Sequence, residues 1–147
     1  MNKIKLILSL LLFSVIITSC DLQGESHEKY TSYVSITETT LPDSIMIGQT
    51  VPIYAKAMAP NGCWSDLTIF LGKSVLADSI YAISATGLFE SYNGVCTEIL
   101  ITADTTFEFK PDTTGTFIFA SYSALLVPAY DTLVVSDTVA GKTRNKR

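Results

Sequence analysis

The chain has 147 residues, 48% of them hydrophobic, and sets ten bases against fourteen acids for a net charge of −4. That length suits one domain with its own core, and the acidity excludes the basic footprint by which nucleic-acid binders hold phosphates. With one histidine and three cysteines, it also leaves little room for imidazole chemistry or a Cys/His metal site.

At the N-terminus, Lys3 and Lys5 open an apolar run over residues 4–17 that only Lys5 and two serines interrupt. This is the layout of a signal peptide. A spanning helix needs about 20 apolar residues, and the run turns polar at Asp21 first. Small Thr18 and Ser19 before Cys20 resemble the lipobox of bacterial lipoproteins, with Ile17 where Leu is commoner. The resemblance implies cleavage ahead of Cys20, acylation of its sulfur and amine, and a place on the cell envelope, most readily the outer membrane, on either face. Two or more acyl chains make such an anchor stable. The alternative is an ordinary signal peptide cut near Ser19, which leaves Cys20 a free thiol.

Loss of residues 1–19 leaves 128 residues with eight bases against the fourteen acids. Four of those bases crowd into the tail at 141–147, so the body is strongly acidic. A terminal charge run of this kind is expected to be solvated rather than part of a site. Residues 20–29 are short and polar and are expected to be a tether. The chain's one histidine, His27, falls inside it. Cys63 and Cys96 then remain as an even pair in an oxidising compartment, where a disulfide is expected. Closing a loop of that length removes unfolded-chain entropy equivalent to roughly 3.5–4 kcal/mol.

From residue 30 to 140 the chain becomes short runs of Val, Ile, Thr, Tyr and Phe separated by Gly, Pro, Asn and Asp, with no sustained 3.6 period. In residues 51–58 every odd position is apolar while Pro52 and Lys56 take the other face, the alternation of a strand buried on one side. Leu67, Ile69 and Leu71 repeat it. Pro60-Asn61-Gly62 between these runs reads as the turn of a hairpin. Asn93-Gly94 reads as a second hairpin turn, joining the run that begins near Ile80 to one over residues 95–102. Gly72-Lys73-Ser74, residues 111–115 and residues 126–128 mark further turns or bends. The expectation is an all-β antiparallel sandwich of about seven to nine strands.

Two stretches carry a resemblance to bacterial immunoglobulin-like modules. Residues 41–51, LPDSIMIGQTV, are similar to their opening strand. Phe109-Lys110-Pro111 followed by Gly115-Thr116-Phe117-Ile118-Phe119 looks like the entry to their penultimate strand. Phe117 replaces the tyrosine whose hydroxyl makes a corner in such domains, and Trp64 directly follows Cys63 instead of standing a strand away. The parity of Cys63 with Leu67 and of Cys96 with outward Glu98 places their bond near a rim.

Catalysis by Ser-His or Cys-His needs an imidazole that the body lacks, and no phosphate loop or metal-ligand spacing is present. Glu98 and Glu108 are formally a carboxylate pair, and Asp104 and Asp112 lie near threonines, but neither set has a specific spacing. The reading is a protein that is not an enzyme and needs no cofactor. Trp64 and Tyr92, each beside a turn, are the candidate binding aromatics for a protein or glycan, with Tyr54, Tyr81 and Tyr122 on nominally outer strand faces. Against this stands the reading that Trp64 caps the sandwich end and the tyrosines are cross-strand pairs.

Asp followed by Ser or Thr and then an apolar residue or Thr recurs at Ser44, Ser79, Thr105, Thr113, Thr132 and Thr138. The pattern resembles the O-glycosylation sequon of exported proteins in some Gram-negative bacteria, and the rival account is turn formation. Residues 111–115, PDTTG, are similar to the Asn-Pro-Thr-Thr-Gly loop of chagasin-type cysteine protease inhibitors. The functional expectation is a lipid-anchored envelope module that binds a protein or glycan or serves as a structural spacer. The alternatives are a protease inhibitor of immunoglobulin-like build and a subunit of a larger envelope assembly that adds an edge strand to a neighbour.

Overall fold

A computed structural model describes residues 26–75 and 77–137. The apolar leader, Cys20, the first part of the tether, Thr138 and the basic tail lie outside the described residues. The fold is all-β, with strands β1 (His27–Thr40), β2 (Ser44–Met46), β3 (Val51–Ala59), β4 (Trp64–Lys73), β5 (Ile80–Tyr92), β6 (Ile101–Phe109), β7 (Gly115–Tyr122) and β8 (Pro128–Ser136).

These eight strands form one curled sheet in the order β2-β8-β7-β5-β1-β3-β6, with β4 on the other edge of β5. The curl originates in β1. Its first half pairs antiparallel with β5, from His27↔Tyr92 to Val34↔Ala85, and its second half pairs antiparallel with β3, from Ser35↔Met58 to Thr40↔Tyr54. A register shift between Ile36 and Glu38 falls in the second half, where the extra residue adds local bend and twist. One strand thus passes from one layer to the other.

The wholly antiparallel arrangement expected from the short turns is corrected to a mixed sheet. β5 and β7 run parallel, Ile80↔Ile118 to Ile83↔Ser121, because the intervening β6 pairs with β3 in the other layer and the chain returns in its original direction. β2 and β8 are also parallel, since the chain keeps the direction of β1 past Pro42.

The expected hairpin at Pro60-Asn61-Gly62 is likewise corrected. The chain does reverse there, but β3 bonds to β1 and β6 while β4 bonds to β5, so the turn crosses between layers. At Asn93-Gly94 both residues have positive φ, 57° and 70°, as a tight two-residue turn requires. That hairpin closes with a single bridge, Tyr92↔Val95, before the chain departs to β6. The tether boundary also shifts, because residues 27–29 belong to β1.

Alternation in β3 buries Val51, Ile53, Ala55, Ala57 and Ala59 as its sequence predicts. The main core joins Ile53 to Ile83, Phe119 and Leu133, all four inaccessible to solvent. Each such side chain contributes about 1.5–3 kcal/mol on burial. A second cluster of Val34, Ala57, Ala59 and Ala85 lies under Trp64 and Leu67. In β4, Asp66 at φ 51° occupies a bulge between Ser65 and Thr68, after which Leu67, Ile69 and Leu71 turn toward the core.

Candidate functional site

Strand direction divides the molecule into two ends. β3, β5 and β7 finish at one end, where β1, β4, β6 and β8 begin. That end holds Ser26 and the connections 60–63, 93–100 and 123–127. The opposite end gathers the connections 74–79 and 110–114 with the close of β8.

A groove of about 440 Å³ opens at the opposite end, lined by Lys73, Asp78, Tyr81, Lys110, Asp112, Phe117 and the loop between Asp112 and Phe117. The end of β4 and the start of β5 supply one wall, and the β6–β7 connection supplies the other. Lys73 Nζ lies 2.8 Å from Asp78 Oδ1. The hydrogen bond between them raises the Lys73 ammonium above its ordinary pKa and holds the Asp78 carboxyl below its own. Asp78 is almost fully exposed, so the pair contributes little to stability and remains available to a ligand. The floor is aromatic: Tyr81 packs against Phe109, Phe117 and Phe119 with ring centroids 5.1, 6.3 and 5.4 Å away. Tyr81 therefore faces inward, a correction to its assignment to the outer face. Rings below with hydroxyls, ammonium groups and carboxylates around them form a site that can hold a polar ligand by stacking and directional hydrogen bonds.

Trp64 and Tyr92 are not brought together. Trp64 pairs with Phe89 and Tyr92 with His27, and because residues 89 and 92 of one strand point oppositely, the two rings occupy opposite faces. Trp64 packs edge-on to Tyr30 and Phe89 at 6.4 and 5.4 Å beside the second core cluster. Its buried indole N–H finds no acceptor among the described residues. Tyr92 is 60% exposed, stacks on His27 at 4.4 Å and donates its hydroxyl to Glu90 Oε1 at 3.3 Å. Glu90 also receives Lys29 Nζ at 3.0 Å and meets His27 Nε2 at 3.0 Å. Hydrogen bonds from Lys29 first, then His27, hold its carboxyl below the ordinary carboxylate range.

Cys63 and Cys96 form a disulfide across a Cα separation of 5.2 Å. The bond is partly exposed and sits at the Ser26 end, with Gly62 N–H donating to the Thr97 carbonyl at 2.9 Å and Glu90 N–H to the Cys63 carbonyl at 2.9 Å. The described sequon residues are scattered: Ser44, Thr113 and Thr132 are exposed, Ser79 and Thr105 half-buried. Thr113 and Ser79 lie in the groove. Among the described residues no three His, Cys, Asp or Glu side chains gather as a metal site would require.

Lys73 and Lys110 are groove residues that the sequence placed in turn and strand-entry motifs but not in a site. The available signal was composition, since the body before the tail has only four bases and these two border turns. No family model, curated protein or solved structure matches the chain.

Proposed function

We propose that this protein is a non-enzymatic, lipid-anchored module of the cell envelope, tethered through Cys20, whose groove binds a polar protein segment or glycan. The observation that supports it is the position of the groove: it opens at the end opposite Ser26, so a tether at the N-terminus leaves it facing away from the lipid. Lys73, Lys110 and Asp112 supply charge-assisted hydrogen bonds, and Tyr81 and Phe117 supply apolar contact. A glycan array and a pull-down with the mature chain test this reading. Binding that weakens at least tenfold in the Lys110→Ala, Asp112→Ala double variant supports it. No ligand held at micromolar concentration, or one indifferent to that variant, overturns it.

A second reading as a protease inhibitor draws on the exposure of Thr113 and Thr114 at the rim of this groove, where the chagasin-like stretch would meet an enzyme. Lack of inhibition of papain-like proteases removes it. The Asp-Ser/Thr pattern is proposed as a glycosylation signal at the exposed Ser44, Thr113 and Thr132. A glycan on Thr113 would occupy the groove, so glycopeptide mapping of the exported protein, which assigns the modified residue, also reports whether the groove is open.

A further inference from the structure

Among the described residues, the end of the molecule that bears Ser26 exposes more large aliphatic side chains in its connections than the opposite end, where Ile47 and Val75 are exposed. Its three connections, 60–63, 93–100 and 123–127, contain one charged residue, Glu98. The connections at the opposite end carry Asp43, Asp78, Lys110 and Asp112. In the same three connections Val95, Ile99, Leu100, Leu125, Leu126 and Val127 are 76, 54, 61, 86, 54 and 63% exposed. Beside them an apolar hollow of about 440 Å³ runs between Tyr33, Met58, Trp64, Leu100 and Ala124. Contiguous exposed apolar side chains on a small domain mark a surface that something covers.

The position of the chain's entry point identifies the cover. Ser26 is fastened to the 93–94 turn, since its carbonyl accepts from Asn93 N–H at 2.7 Å. Five residues lie between it and Cys20, a span of about 20 Å when extended. An acylated Cys20 therefore keeps the apolar connections within reach of the headgroups. We infer that these connections dock on the lipid bilayer and seat their aliphatic side chains at the headgroup–acyl boundary. This rests on the proposed lipid anchor.

Such contact is driven by apolar burial rather than by anionic-lipid attraction, as the acidity of the body requires, so it should resist salt. Tyr92, exposed on the same end, suits the interfacial level that amphipathic rings prefer. Docking also gives the anchored domain a fixed orientation, with the groove presented outward along the membrane normal.

The test reconstitutes the full lipidated protein in vesicles of phosphatidylethanolamine and phosphatidylglycerol containing nitroxide-labelled acyl chains. An environment-sensitive fluorophore is attached at Leu126→Cys or, at the far end, Thr113→Cys. Flotation is scored first. Docking predicts a blue-shifted Leu126 probe quenched at least threefold more than the Thr113 probe, unchanged by molar salt and abolished by Leu125→Asp. Both loop positions are exposed, and the circular dichroism of each variant verifies its fold. A protein that floats while its two probes are quenched equally overturns the docking and leaves the anchor standing. One that does not float overturns the anchor, and the docking with it.

Discussion

Ser26 and Asn93 hold each other by a reciprocal pair of hydrogen bonds: Asn93 N–H donates to the Ser26 carbonyl at 2.7 Å, and Ser26 N–H donates to Asn93 Oδ1 at 3.0 Å. The side chain can do this because Asn93 sits at φ 57°, a left-handed conformation that Asn tolerates and Ala resists. Asn93→Ala should cost about 1–2 kcal/mol, combining a lost hydrogen bond with backbone strain. Asn93→Gly should cost less, since glycine removes the strain but not the loss of the amide. Urea midpoints order the three proteins, and an Ala variant no less stable than the Gly variant would refute the account.

Reducing the Cys63–Cys96 bond frees a chain segment with a sequence separation of 33. Replacing both cysteines with alanine should therefore lower stability by about 3–4 kcal/mol in the chain-entropy model. The loss should appear in urea unfolding under non-reducing conditions. It should vanish as a difference when the native protein is unfolded with a reductant present. Equal midpoints without reductant would mean that the bond is absent or carries no constraint.

The alternation of residues 51–59 was legible because a strand with one buried face shows its period directly in side-chain polarity. Residues 27–29 were not legible as strand, since His, Glu and Lys acquire a reason to be there only from Tyr92 and Glu90 on the neighbouring strand. Turns were easier to place than partners. Pro60-Asn61-Gly62 specifies a reversal, but which strand accepts the next hydrogen bonds depends on distant β1 and β5, and no local signal encodes that. The same limit hid the parallel β5–β7 pairing. It also hid the groove, whose Lys73 closes β4 and whose Lys110 opens the β6–β7 connection, places that meet only after both layers have formed.

Gly87 is buried on the inner face of β5, where an added Cβ would meet Trp64 Cε3 at 3.1 Å, Leu67 Cδ1 at 3.2 Å and the Ser65 carbonyl at 3.4 Å. Alanine there would restrict the unfolded chain, a gain of about 0.4–1 kcal/mol, but must displace an indole and a leucine packed over a core cluster. Overpacking of this kind typically costs about 1–3 kcal/mol, so Gly87→Ala should destabilise by about 1–2 kcal/mol net. Trp64 is the chain's one tryptophan, and its emission should shift in the folded variant. Unchanged stability with unchanged emission would show that the gap over Gly87 is wider than the geometry states.

Two carboxylates make the stability of this protein acid-sensitive with a defined sign. Glu90, bonded to Lys29 and His27, and Asp78, bonded to Lys73, both have folded pKa values below their ordinary ones. The unfolded chain binds the proton more readily, with reference values near 4.3 for Glu and 3.9 for Asp. Their contribution is therefore present above about pH 4.3 and is lost as pH falls through the folded values. On the alkaline side the raised Lys73 keeps its contribution until pH climbs through its folded pKa, above the ordinary range of about 10.4. Both pairs are at the surface, so the effect should be modest and larger at low ionic strength. Urea midpoints measured from pH 7 down to pH 2.5 in dilute buffer should fall less steeply below pH 4.3 for the Glu90→Gln, Asp78→Asn double variant than for the native protein. Parallel curves would show that neither carboxylate is stabilised by its partner.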